Sequence, residues 1–206
     1  MSRVKPLKRE NLKELEPFFS VTESRMGFLP NSQLIMAYKP KLLQAFSQLG
    51  GAVNDPANKT PRTLRALVGH VVSRSAGCQY CVAHTGESAH HANIEDRKIA
   101  AVWEYETNPL FSPAERVALR FAQSAGSVPN AVTDADFAEL RKHFSDEEIV
   151  ELVAVIAYFG FLNRWNDTLA TELEPNPLGF AEKTLSAAGW KPGKHAPGAK
   201  ARQAAE

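Results

Sequence analysis

Two cysteines, Cys78 and Cys81, are the only ones in the chain, and they stand three apart in the segment Gly77-Cys-Gln-Tyr-Cys-Val-Ala-His84. On a helix that spacing puts both sulfurs on one face, close enough to join as a disulfide once one of them is oxidised. Gly77 interrupts the helical pattern of residues 63–76, so a new helix is expected to begin at the pair. Sulfurs in a first turn lie at the positive end of the helix dipole. There a thiolate is favoured, and a cysteine pKa of about 8.5 can fall to roughly 3.5–7.5. His84 continues the same face, and its imidazole is suited to taking a proton from a thiol or returning one to a leaving oxygen. The chemistry expected is thiol redox chemistry centred on Cys78, Cys81 and His84.

His70 and Arg74 form an i, i+4 stripe on the preceding helix that leads toward the pair, the histidine as a proton carrier and the arginine as a charge beside a thiolate. An ordinary, partly exposed helix face is the plain alternative. Tyr80, between the cysteines, either shapes access or packs. Asn163, Arg164, Asn166 and Asp167 break an otherwise apolar helix and need hydrogen-bond partners or a cavity. With Trp165 they are candidates for a substrate pocket, although such clusters also serve helix ends and subunit contacts. Three competing readings of the pair are inert core cysteines, a zinc site with His84, His90 and His91, and a thioredoxin motif. Gln79 and Tyr80 read as a surface-reaching turn, which disfavours the first. Structural zinc sites need a second ligand pair, so no metal and no bound cofactor are expected. A thioredoxin motif follows a strand, whereas this pair follows a helix.

The elements that must hold these residues read as helices throughout. Ser112-Pro-Ala-Glu115 and Ser145-Asp-Glu-Glu148 match the capping box, Thr133-Asp-Ala-Asp136 is a weaker version, and Thr60-Pro61 places proline at a first helical position. Helices are expected over 10–24, 31–53, 61–76, 79–92, 94–105, 113–125, 133–143 and 146–171, with Pro40 breaking or kinking the second. No window alternates as a strand does, so the fold class is all-α, a multihelical bundle. The last helix begins apolar nearly all round, which calls for neighbours on every side, within the subunit or across an interface. Residues 1–174 read as one helical domain. Residues 175–206, punctuated by Pro175, Pro177, Gly179, Gly189, Pro192, Gly193 and Pro197, read as an extended arm that packs on a partner through Phe180, Leu185 and Trp190. A faint similarity between 64–87 and 149–172 raises an internal duplication.

Composition narrows the partners. The 206 residues carry 24 Lys+Arg against 23 Asp+Glu, so no basic stripe points to nucleic acid and no charge run to a membrane surface. The N-terminus lacks the apolar run of a signal peptide, and the longest apolar stretch falls short of the roughly 20 residues that span a bilayer. A cytoplasmic protein acting on a small molecule is expected.

The segment Gly77-Cys-Gln-Tyr-Cys-Val-Ala-His-Thr85, together with Gly27-Phe-Leu-Pro-Asn31, Val128-Pro-Asn130 and Phe161-Leu-Asn-Arg-Trp-Asn-Asp167, resembles the carboxymuconolactone decarboxylase and alkylhydroperoxidase D-like family in its peroxidase-related branch. The resemblance covers most of residues 25–174. It implies an alkylhydroperoxidase D-like helical fold, homo-oligomers, and a thiol-dependent peroxidase that reduces hydroperoxides. In that scheme Cys81 becomes the sulfenic acid, Cys78 resolves it to a disulfide, and an external dithiol protein or cofactor reduces the disulfide. Helix-dipole reasoning alone favours Cys78 as the attacking sulfur, so the order stays open. Two positions depart from the family. Its peroxidases carry a glutamate twelve residues before the first cysteine, where this chain has Ala66, and a histidine four residues after the second, where this chain has Thr85. A lyase like the family's lactone decarboxylases and a non-enzymatic thiol redox sensor are the alternatives.

Overall fold

The computed structural model describes residues 1–198; the last part of the expected arm, 199–206, lies outside the described residues. Ten α-helices and no strand are present among them. After two short 3-10 turns come α1 (Glu16–Met26), α2 (Asn31–Met36) and α3 (Pro40–Val53). Pro40 divides α2 from α3, because its ring cannot continue a helix but suits a first turn.

The centre of the molecule is α4 (Arg62–Ser75), which lies against α5 (Gln79–His91), α7 (Pro113–Gly126) and α9 (Asp146–Leu169). Leu67, Val68, Val71 and Val72 of α4 are wholly buried there. Gly69 lets α9 approach, since a Cβ at that position would sit 2.5 Å from the Phe159 ring. Between these helices, α6 (Asp96–Ala100) and α8 (Asp134–Leu140) are short. Ser112, Thr133 and Ser145 each cap α7, α8 and α9 with the reciprocal bond from Glu115, Asp136 and Glu148 that the sequence pattern calls for.

The region after residue 174 differs from the extended arm expected. It forms α10 (Pro175–Thr184) and two further 3-10 turns that fold back onto α5 of the same chain. Ala181, Leu185 and Trp190 are buried, and Trp190 Nε1 donates to Gln79 O at 3.1 Å. The apolar side chains assigned to a partner are thus used inside the subunit. The two segments compared as a duplication also fold differently: 64–87 turns between α4 and α5, whereas α9 runs unbroken to Leu169.

One side of α9 is left open. Val150, Val153 and Phe161 are exposed. A groove of about 1360 Å³, with Ile156, Phe161, Trp165, Phe121 and Val128 among its lining, lies along that side. No helix among the described residues is long and apolar enough to cross a membrane.

Candidate active site

Cys78 occupies a hinge between two helices. Gly77, at φ +74°, ends α4 in the left-handed conformation. Gly77 N–H then donates to Arg74 O, and Cys78 N–H donates to Ser73 O. These are the paired closing bonds of a Schellman motif. The same Cys78 is the N-cap of α5, and its Sγ accepts the Cys81 N–H at 3.4 Å. The expected helix start therefore falls at the pair, with one sulfur as the cap and the other a turn inside. Both cysteines are free thiols and both are buried.

Each sulfur has a donor. Cys78, as the N-cap, has the Cys81 backbone N–H. Cys81 has Asn166 of α9, whose Nδ2 donates to Sγ at 3.6 Å. Burial, together with the adjacent Cys78 sulfur, pushes the Cys81 thiol well above the ordinary thiol range, and Asn166 offsets part of this. Around Asn166 the polar inventory is incomplete. Its Oδ1, both side-chain atoms of Asn163, and Trp165 Nε1 are buried without hydrogen-bond partners. Asn163 and Asn166 share one face of α9, so a polar ligand entering there would find donors and acceptors already in place.

A second cluster is built on Glu174, a residue outside the sequence-derived candidates. This carboxylate accepts from Tyr80 Oη at 2.8 Å and from the Asn31 backbone N–H, and its other oxygen lies 2.7 Å from His84 Nε2. Tyr80 and His84, four apart on α5, stack at 4.2 Å. Burial, and next Glu174, hold the Tyr80 phenol well above its ordinary value, so it stays a donor. The position that the family's peroxidases fill with glutamate is Ala66, and a carboxylate reaches the histidine from Glu174 instead.

His70 and Arg74 do not form a stripe to the sulfurs. His70 Nδ1 lies 2.8 Å from Thr85 Oγ1, which itself donates to Cys81 O at 2.7 Å. Thr85 has only one proton, so His70 Nδ1 carries its own and donates. Burial, followed by the Arg74 charge, pushes the His70 ring down to about 3, so it is neutral at physiological pH. Arg74 turns its guanidinium to Ala188 O at 3.1 Å and over the Trp103 ring. His90 pairs with Asp96 and His91 faces Glu87, both histidines on the exposed side of α5.

The ligand types that do converge on the pair come from elsewhere. Cys78 Sγ, a carboxylate oxygen of Asp167 and a ring nitrogen of His195 all lie within 4.8 Å of one another. Asp167 is on α9; His195 belongs to the tail, is buried, and lies 3.5 Å from Asp167 Oδ1. Burial pushes the His195 ring below the ordinary histidine value, against the pull of the Thr171 carbonyl and Asp167. Asp167 belonged to the polar break noticed in the sequence. Nothing local marks His195 or Glu174, which lie about 90 residues or more from the cysteine helix.

A model of the carboxymuconolactone decarboxylase family matches residues 40–124, a span that includes the cysteine pair. The chain is 31% identical over 106 residues to the uncharacterized protein YnjA of Escherichia coli (strain K12), covering 52% of this chain and 58% of that one. It therefore spans less than two thirds of that relative's length. Among solved structures, it is similar to the debrominase Bmp8 in complex with 2,3,4-tribromopyrrole, with 34% identity, a TM-score of 0.82, and 88% and 96% of the two chains covered. It is also similar to an alkylhydroperoxidase AhpD core, a peroxidase-related protein from Ralstonia eutropha JMP134, with 25% identity, a TM-score of 0.76, and 87% and 95% covered.

Proposed function

The chain belongs to the carboxymuconolactone decarboxylase family, and from that premise we propose that it is a thiol-dependent peroxidase. Two reduced, buried cysteines at one helix start carry this reading, each sulfur with its own hydrogen-bond donor. Cys78 attacks as thiolate: a bond forms from Sγ to the distal peroxide oxygen, the O–O bond breaks, and the alkoxide leaves with a proton. Cys81 then attacks the sulfenic sulfur, forming the disulfide and releasing hydroxide as water. The pair loses two electrons and the peroxide gains them. An external dithiol protein or cofactor returns the pair to thiols.

The order given, Cys78 before Cys81, follows the helix cap and the burial that holds Cys81 protonated. It reverses the family scheme. His84, with Nε2 donating to Glu174, uses the Nδ1 lone pair to take the Cys78 thiol proton as the thiolate forms, and returns that proton to the leaving alkoxide. The orphaned polar atoms of Asn163 and Asn166 receive the substrate. The open apolar side of α9 supports self-association of the chain.

Mass spectrometry of the reduced protein before and after one equivalent of an organic hydroperoxide tests this. Loss of both thiols to one intramolecular disulfide is expected, with a sulfenic acid trapped at Cys78 in a Cys81→Ser variant. Thiols that survive the peroxide would overturn the reading and favour a lyase, which needs no redox pair. A disulfide that forms without turnover and changes oligomeric state would favour a sensor.

The likeness to a debrominase favours a second reading, reductive dehalogenation of a halogenated aromatic ring. There the carbon–halogen bond breaks, a carbon–hydrogen bond forms, halide leaves, and the same dithiol becomes the disulfide. Halide release from a brominated pyrrole, set against peroxide consumption by the same preparation, separates the two readings.

A further inference from the structure

We propose that Cys78, Asp167 and His195 form a binding site for a borderline-soft divalent cation of the Zn²⁺ type, and that its occupancy masks the redox cysteine. The masking rests on the peroxidase reading; the binding does not.

The case begins with what faces what. His195 Nδ1 lies 2.7 Å from Thr171 O. A carbonyl only accepts, so Nδ1 carries the proton and Nε2 presents a bare lone pair. Nε2 is buried with no hydrogen-bond partner, and Asp167 Oδ1 stands 3.5 Å away. Lys194 Nζ holds the other oxygen, Oδ2, at 2.7 Å, which fixes the carboxylate with Oδ1 toward the histidine. Cys78 Sγ closes the triangle within 4.8 Å. An imidazole lone pair, a carboxylate and a sulfur able to ionise thus converge. A cation would take the bare Nε2 lone pair and the free carboxylate oxygen together and displace the Cys78 thiol proton.

The chemistry of the set selects the cation. Thiolate, imidazole and carboxylate are the ligands of zinc, with bonds of about 2.0–2.3 Å, which puts tetrahedral ligand atoms roughly 3.3–3.6 Å apart. The triangle therefore needs to contract by about an ångström. Hard cations such as Mg²⁺ prefer an all-oxygen shell and are excluded by the sulfur and nitrogen. The support behind the ligands is already built: a metal-bound histidine donates its other ring N–H to a carbonyl, as His195 does to Thr171. Three protein ligands leave a fourth position for water. The expectation of no metal considered His84, His90 and His91 beside the pair. The tail and α9 supply the ligands instead.

Metal on Cys78 ties up the sulfur that attacks, and a Cys78–Cys81 disulfide removes a ligand. The site should therefore hold its ion when the protein is reduced and release it on oxidation.

The test is an anaerobic titration of the reduced, metal-free, full-length protein with Co²⁺, followed by displacement with Zn²⁺. One equivalent giving a thiolate-to-cobalt charge-transfer band is expected. Cys78→Ser should abolish the band, Cys81→Ser should keep it, and His195→Ala should weaken binding by about 10-fold or more. Absence of the band in the wild type, its persistence in Cys78→Ser, or equal affinity in a helical His195→Ala protein would overturn the site. Should His195→Ala lose helicity, the half-exposed Asp167→Asn decides, with unchanged affinity overturning the proposal. Zn²⁺ should slow peroxide consumption by about 10-fold or more, reversed by a chelator. Full-rate consumption by the zinc-loaded protein overturns the masking. A cobalt band on a protein that leaves peroxide untouched removes the peroxidase reading and keeps the site.

Discussion

His84 Nε2 and Glu174 Oε2 lie 2.7 Å apart, joining the cysteine helix to the N-cap of α10 across 90 residues of sequence. Because the carboxylate also accepts from Tyr80 and from the Asn31 amide, it fixes the His84 ring and the start of the tail together. Glu174→Gln replaces one acceptor oxygen by a donor, which cannot satisfy all three partners. We expect peroxide turnover to fall by about 10–100-fold, with stability lowered by about 1–3 kcal/mol. Steady-state kinetics beside urea unfolding checks both. Unchanged turnover in a folded variant would remove Glu174 and His84 from the mechanism.

Asn166 is the donor to Cys81, and its effect should be confined to chemistry. Asn166→Ala removes one hydrogen bond to sulfur and the polar edge beside it. Formation of the Cys78–Cys81 disulfide after one equivalent of hydroperoxide should slow by about 10-fold, the equivalent of about 1.4 kcal/mol. Asn166→Asp should slow it further, because a carboxylate beside Cys81 opposes a second negative charge. Stopped-flow measurement of the burst is the readout, and a rate equal to wild type in both variants would contradict the assignment.

The helices were legible where a local device sets them. The capping residues Ser112, Thr133 and Ser145, the break at Pro40 and the Gly77 turn all act within a few residues of themselves, and each element they predict is present. The cysteine pair and His84 were legible for the same reason. The tail was not. Pro175, Pro177 and Gly179 give α10 poor intrinsic propensity, and it exists because Ala181 and Leu185 bury against α5, a tertiary gain that no local pattern records. With α10 and the turns after it come Glu174 beside His84 and His195 beside Cys78, two contacts that were invisible in the sequence. Arg74 shows the opposite error: its register pointed to the pair, but the carbonyl of Ala188 and the Trp103 ring take its charge.

The α4–α9 contact gives a prediction about stability alone. A Cβ at position 69 would meet Phe159 Cε2 at 2.5 Å and Cδ2 at 2.8 Å, so the ring must move within a packed layer. Gly69→Ala improves helix propensity by about 1 kcal/mol, yet overpacking costs about 1–3 kcal/mol. The net expectation is a loss of up to about 2 kcal/mol, or roughly 4–8 °C in Tm at that limit for a domain of this size. Thermal unfolding by circular dichroism checks it. A raised Tm would mean that Phe159 has room to turn.

His70 makes the fold sensitive to acid. Burial holds its folded pKa down at about 3 against an unfolded value of 6.5. Between those limits the unfolded chain binds a proton that the folded one refuses, so stability rises with pH across the window. The contribution is intact above pH 6.5 and is lost progressively as pH falls toward 3, at up to about 1.4 kcal/mol per pH unit. Lowering the pH from 7 to 5 should therefore cost about 2 kcal/mol through this residue. His70→Gln removes the titration while leaving a side chain able to donate to Thr85. Its urea-unfolding free energy at neutral pH should be lower than wild type, and its slope between pH 7 and 5 flatter by that amount. Equal slopes in the two proteins would show that the ring is protonated inside the fold. The chain from His70 through Thr85 to the Cys81 carbonyl would then carry a charge rather than a neutral hydrogen bond.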